Sequence, residues 1–111
     1  MGNGPSLDLH EAYLKENQDK AIIMSCGTSL ASLYKMGVKP HFHIEMERTM
    51  GVQDFLMYGT DEEYRKGITL LCLHTVSPNT IAMFEQSCMA IKPNDAAEFI
   101  LKDLLLSLIH I

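Results

Sequence analysis

Short apolar runs recur along the chain at intervals that fit strands, and each is followed by a stretch with helical spacing. The runs Ala21 to Ser25, Phe42 to Glu47 and Ile68 to Leu73 read as strands, with a short fourth one at Met89 to Ile91. Between the first two, Thr28 to Met36 reads as a helix: Thr28 or Ser29 can cap it, Leu30, Leu33 and Tyr34 give it an apolar stripe, and Gly37 stops it before Pro40. Further helices are expected at Leu9 to Glu16, Gly51 to Tyr58, Asp61 to Lys66, and Ser77 to Glu85 with Pro78 in its first turn. This alternation predicts an α/β fold, a Rossmann-like and mostly parallel sheet with flanking helices. Six of the eight methionines, Met24, Met36, Met46, Met57, Met83 and Met89, stand at apolar positions and are expected in the core.

The ends of the chain change this picture. The segment Gly2-Asn3-Gly4-Pro5-Ser6 has the composition of a phosphate-binding turn, in which Gly2 and Gly4 take positive φ, Pro5 enters the first helical turn, and Ser6 or Asp8 caps the helix. Such a turn normally follows a strand, and only Met1 precedes it, so the sheet is expected to be truncated at both ends. At the other end, residues 106–111 resemble the conceptual translation of a sequencing-library adapter and are set apart as a non-native tail. The alternative is a natural amphipathic helix end, with Leu101, Leu104, Leu105 and Leu108 at helical spacing. Residues 1–105 then form one partial domain.

Composition narrows the function classes. A formal net charge of −5 with scattered basic residues argues against a nucleic-acid surface. No apolar run approaches the about 18 residues needed to cross a bilayer. The three cysteines, Cys26, Cys72 and Cys88, show no metal-type spacing and fit reduced thiols in a cytoplasmic protein.

Chemistry is expected where a parallel sheet ends and its loops begin. The Gly2 to Ser6 loop is the first such place. The second is Ser25-Cys26-Gly27-Thr28-Ser29, where a strand runs into a helix start whose N–H groups and hydroxyls can hold a phosphate or serve only as a cap. The third is Lys39 to Thr49. Phe42, Ile44 and Met46 share one face of that strand, and His43, Glu45 and Glu47 share the other. A polar face fits an edge strand with a solvated side, and for Glu45 that reading stands beside a functional one. Glu47, at the carboxyl end, can order a metal on a diphosphate or accept from a ribose. His41 and His43 form a His-x-His pair without a third ligand, so no metal site is assigned. Arg48 can pair with Glu47, and His74, at the end of the third strand, is a candidate general acid or base.

The segments Gly2-Asn3-Gly4-Pro5-Ser6-Leu7-Asp8, Cys26-Gly27-Thr28-Ser29-Leu30 and Met36 to Glu47 together resemble the domain shared by bacterial motility accessory factors (Maf) and MptE-type 6-hydroxymethylpterin diphosphokinases. The resemblance is close over Gly2 to Thr49 and weakens through Lys102. It implies a Rossmann-like nucleotide-binding fold. Maf proteins transfer nonulosonic acids from a CMP-sugar to Ser or Thr of flagellin, and the first loop is also similar to the CMP-binding loop of some bacterial sialyltransferases. Carried over, Gly2, Asn3, Gly4, Pro5 and Ser6 match the nucleotide loop, Gly27 and Thr28 the second loop with Ser29 beside them, and Glu47 the acidic residue closing the third segment. The family often has Asp where this chain has His41 and Glu47. The implied ligand is a CMP-sugar, with flagellin as acceptor. The alternatives are diphosphate transfer from ATP with Mg²⁺, using Glu45, Glu47 and Asp54, and a nucleotide-binding or docking module without catalysis.

Overall fold

The computed structural model describes residues 2–109, and side chains through residue 104. In chain order the elements are α1 (Ser6–Leu9), α2 (Glu11–Asn17), a short 3₁₀ turn (Gln18–Lys20), β1 (Met24–Cys26), α3 (Ser29–Met36), β2 (Phe42–Glu45), α4 (Met50–Gly59), α5 (Glu62–Arg65), β3 (Thr69–Leu73), α6 (Pro78–Ile81), β4 (Gln86–Ala90) and α7 (Ala96–Ile109). The strands form one four-stranded sheet in the order β1-β2-β3-β4, parallel throughout. This is the expected α/β, Rossmann-like arrangement with flanking helices.

Apolar periodicity explains the central elements. Leu30 and Leu33 of α3, Leu56 of α4, and Ile68 and Leu70 at and in β3 are at most 1% exposed. Burying each such side chain contributes about 1.5–3 kcal/mol before entropic costs. The main core joins Leu30, Leu56, Ile68, Leu70, Cys72, Val76 and Phe84. A second cluster ties α1 to α3 through Leu7, Ile23, Leu33, Met36 and Val38. Gly37 ends α3 in the left-handed region at φ 71°, as its sequence position implies. Gly59 has a different reason to be glycine: a Cβ there would lie 2.9 Å from Ala31 Cβ, so α3 and α4 can approach this closely only at a residue without a side chain.

Several expectations fail for identifiable reasons. Helix formation begins at Ser6 rather than Leu9, and the chain breaks at His10 before resuming as α2. Pro5 takes the cap position, and neither Ser6 nor Asp8 supplies a side-chain cap. Positive φ occurs at Gly27, Gly37, Gly67 and Asn94, and not at Gly4. The helix expected over Ser77 to Glu85 stops at Ile81, because the chain unwinds so that Phe84 enters the core. The fourth strand starts at Gln86, earlier than expected, and all five of its residues are exposed, so no apolar alternation marks it.

Of the methionines expected inside, Met36 is buried, whereas Met46, Met57 and Met89 are 57%, 48% and 56% exposed. At the start of the last helix Asp95 Oδ1 accepts from Ala96 N–H and Glu98 Oε2 accepts from Asn94 N–H, so two carboxylates take up backbone donors there. Its backbone runs through Ile109. The proposed tail, residues 106–111, falls outside the residues whose side chains are described, and His110 and Ile111 lie outside the described residues altogether. Among the described residues no helix is long and apolar enough to cross a membrane.

Candidate functional site

The site begins with β2, which lies between β1 and β3 rather than at an edge. A central strand has both faces against neighbours, so its polar side chains must find partners inside. His43 is fully buried and Glu45 is 3% exposed, whereas the face carrying Phe42 and Ile44 is only half-buried. The solvated reading of Glu45 is therefore overturned. Glu45 Oε1 accepts hydrogen bonds from the N–H groups of Met46 and Glu47, at 2.9 and 3.0 Å. That capture turns the backbone out of the ladder and ends β2 two residues earlier than expected.

Burial pushes the Glu45 carboxyl upward, but its contact with His43 and the two backbone N–H groups outweigh this and hold it below the usual glutamate value. Since the folded value is depressed, the stability this carboxylate contributes is fully present above the ordinary glutamate range and is lost as pH falls from there through the lowered folded value.

Asn3 joins the first loop to the second. Its Nδ2 donates to Thr28 Oγ1 at 3.0 Å, and its Oδ1 accepts from Ser32 Oγ at 2.8 Å. One amide thereby fixes the Gly2 to Ser6 loop against the start of α3. Gly27 stands at φ 53°, a conformation that favours glycine, and turns the chain from β1 into that helix. Ser29 is fully buried, and its hydroxyl is engaged with Cys26, accepting from the N–H and lying 2.9 Å from the carbonyl oxygen. It shapes the turn from inside.

Beside this turn lies a cleft of about 280 Å³, lined by Gly27, Thr28, Glu45, Glu47, Thr49, Gly51, Val52 and Phe55. Two helix starts, those of α3 and α4, meet there and bring the positive ends of both helices to the cleft. Opposite them stand two carboxylates, and Val52 and Phe55 supply an apolar side. Glu47 is exposed, and among the described residues its carboxylate has no hydrogen bond or ion pair, so Arg48 is not its partner.

The other candidates lie elsewhere. His74 does not line the cleft: its Nδ1 accepts from Lys92 N–H at 3.3 Å, and its Nε2 lies 3.5 Å from Asp95 Oδ2, so it ties the β3 end to the loop before α7. His41 Nδ1 accepts from Ile23 N–H, which separates it from any joint site with buried His43. Gly2 and Ser6 line a separate concavity with Leu7, His10, Tyr13 and Leu14. Sequence reasoning missed Ser32, Val52 and Phe55 as parts of the site, and it weighed a solvated face for the polar residues of β2 that the structure instead buries.

A family model described as 6-hydroxymethylpterin diphosphokinase MptE-like matches residues 1–105. The chain belongs to this family. The MptE-like fold is also similar to a solved structure, that of MAf glycosyltransferase from Magnetospirillum magneticum AMB-1, with a TM-score of 0.74 and 32% sequence identity over 83% of this chain. The likeness covers 15% of that longer chain. No curated protein matches. These findings place the chain in the MptE-like family, with a fold similar to part of a MAf glycosyltransferase.

Proposed function

We propose that the cleft between the β1–α3 turn and the start of α4 holds the nucleotide of a CMP-activated sugar, and that the chain is part of a glycosyltransferase moving a nonulosonic acid to flagellin Ser or Thr. The observation that carries this reading is the Asn3 amide, which holds the first loop and the second loop together beside the cleft. The likeness to a Maf-type glycosyltransferase supports the same branch.

In this reading the phosphate lies over Gly27 and Thr28, where the starts of α3 and α4 face charge developing on the departing CMP. Each exposed helix end contributes about 0.3–1 kcal/mol to holding such a charge. Glu45 and Glu47, as acceptors, take hydrogen bonds from hydroxyls of the ribose or sugar. Glu47, whose carboxylate has no partner, is the residue assigned to the reacting groups. His74 lies outside the cleft and receives no role in this step.

The second reading is diphosphate transfer from ATP, which the family description favours. Mg²⁺ on a diphosphate takes oxygen donors from several side chains. Among the described residues no group of three or more His, Cys, Asp or Glu converges. One oxygen of Glu45 is held by backbone N–H groups, and Asp54 is exposed and does not line the cleft. These residues alone do not fit such an ion, and no step is routed through it.

Titration of the protein with CMP and with ATP, each with and without Mg²⁺, separates the readings by thermal stabilisation. CMP at 100 times its Kd is expected to raise Tm by roughly 10–20 °C, from a stabilisation of about 2.7 kcal/mol. A response to ATP with Mg²⁺ alone moves the assignment to diphosphate transfer, and CMP binding without sugar transfer by the complete enzyme favours a binding module. No response to either nucleotide contradicts the nucleotide site.

A further inference from the structure

Ser25, His43 and Glu45 form a chain of polar groups across β1 and β2 that the cleft alone does not explain. Ser25 and His43 are both fully buried. The Ser25 hydroxyl lies 2.9 Å from His43 Nδ1 and 3.3 Å from the Phe42 carbonyl oxygen, and the His43 ring stacks on Phe84 at 5.7 Å with 15° between planes. His43 Nε2 has no hydrogen-bond partner, yet it faces Glu45 Oε2 at 3.8 Å.

The proton arrangement follows from these contacts. A hydroxyl has one hydrogen to give, and a neutral imidazole carries one N–H. If Ser25 donates to Phe42, Nδ1 must carry the proton, and a bare Nε2 lone pair then faces a carboxylate in a buried setting. If Ser25 donates to Nδ1 along the shorter contact, the proton sits on Nε2 and points towards Glu45. The second arrangement satisfies Nδ1 and places opposite partial charges together.

We propose that His43 is a positioning residue: clamped by Ser25 and Phe84, it presents its Nε2–H to Glu45 and holds that carboxylate as an oriented acceptor on the cleft wall, so that the cleft prefers ligands bearing vicinal hydroxyls beside a phosphate. The hydroxyl preference rests on the nucleotide reading above. The imidazole never touches the ligand; it acts through Glu45, whose other oxygen is already fixed by the Met46 and Glu47 N–H groups. With Oε1 held by two N–H groups and Oε2 facing the imidazole at 3.8 Å, the carboxylate keeps its orientation on the cleft wall.

The test compares CMP with 2′,3′-dideoxy-CMP. Wild-type protein is expected to favour CMP by about tenfold, the worth of a hydrogen bond to a charged acceptor. His43→Leu should reduce that preference to about twofold, while His43→Gln, which keeps a donor near Glu45, should restore most of it. Full discrimination by His43→Leu overturns the proposal. Should His43→Leu fail to fold, Ser25→Ala removes the clamp with little change in volume, and it too should lower the preference; unchanged discrimination in Ser25→Ala overturns the proposal.

Ring ¹⁵N shifts of ligand-free protein read the tautomer independently of binding. Protonated Nε2 with unprotonated Nδ1 is expected, and the reverse overturns the positioning role. No CMP binding by wild-type protein together with the expected tautomer overturns the nucleotide reading, and the hydroxyl preference falls with it.

Discussion

Asn3→Ala is expected to weaken CMP binding by about tenfold or more, and to lower the melting temperature of ligand-free protein by several degrees at most if its two bonds hold the loop there as well. The side chain is exposed and lies outside both buried clusters, so its loss empties no core. It removes two hydrogen bonds, to Thr28 and from Ser32, that join residues 25 and 29 positions apart in sequence. Two such bonds contribute about 1–3 kcal/mol in total, which corresponds to roughly 5- to 150-fold in affinity if both serve to preorganise the loop. Asn3→Asp should fall between the two: it still accepts from Ser32 but no longer donates to Thr28. Calorimetric titration of the three proteins with CMP checks the order, and equal affinity in all three would remove the latch from the account.

Arg65→Met is expected to cost about 3 kcal/mol of folding stability. Arg65 is 8% exposed, and no ion pair holds it among the described residues. Carbonyls take the place of a carboxylate. Its NH1 nitrogen lies 3.3 Å from Leu56 O, and 2.9 Å from both the carbonyl and hydroxyl oxygens of Thr60, while Nε donates to Met83 O at 3.4 Å. One guanidinium thus gathers the end of α4 and the turn between α6 and β4. Methionine fills much of the volume but leaves the Thr60 and Met83 carbonyls without the guanidinium, whereas Leu56 O keeps its bonds from Thr60. Arg65→Lys should recover only part of the loss, because a single ammonium does not reproduce the planar fork. Urea denaturation measures both variants; a loss below about 1 kcal/mol for Arg65→Met would show that water replaces the guanidinium at little cost.

The sequence made the middle of the fold legible because apolar spacing and punctuation agree there. Leu30 and Leu33 mark α3, Gly37 stops it, and Ile68 to Leu73 reads as a strand on its apolar content. The parts that were misread are those where periodicity carries too little information. Alternation in β2 correctly separated Phe42 and Ile44 from His43 and Glu45, but it does not say which side faces the core. The structure turns the polar side inward, where Ser25 and Phe84 receive His43. Strand β4 lacks alternation because all five residues are exposed, and α6 ends early because Phe84 gains more from the core than from another helical turn. The glycine loop was legible as a loop. Its attachment through Asn3 to Thr28 and Ser32 was not, since hydrogen bonds between residues so far apart leave no local pattern.

The most direct test of the central claim, that the latched loops and the cleft beyond β2 form one nucleotide site, is amide chemical-shift mapping of ¹⁵N-labelled protein during CMP titration. The account predicts saturable shifts concentrated at residues 2–6, 27–28 and 45–51, around the cleft of about 280 Å³. Shifts concentrated instead around Glu62, Arg65 and Glu85, which line a separate cavity of about 380 Å³ before β3 and β4, would contradict it.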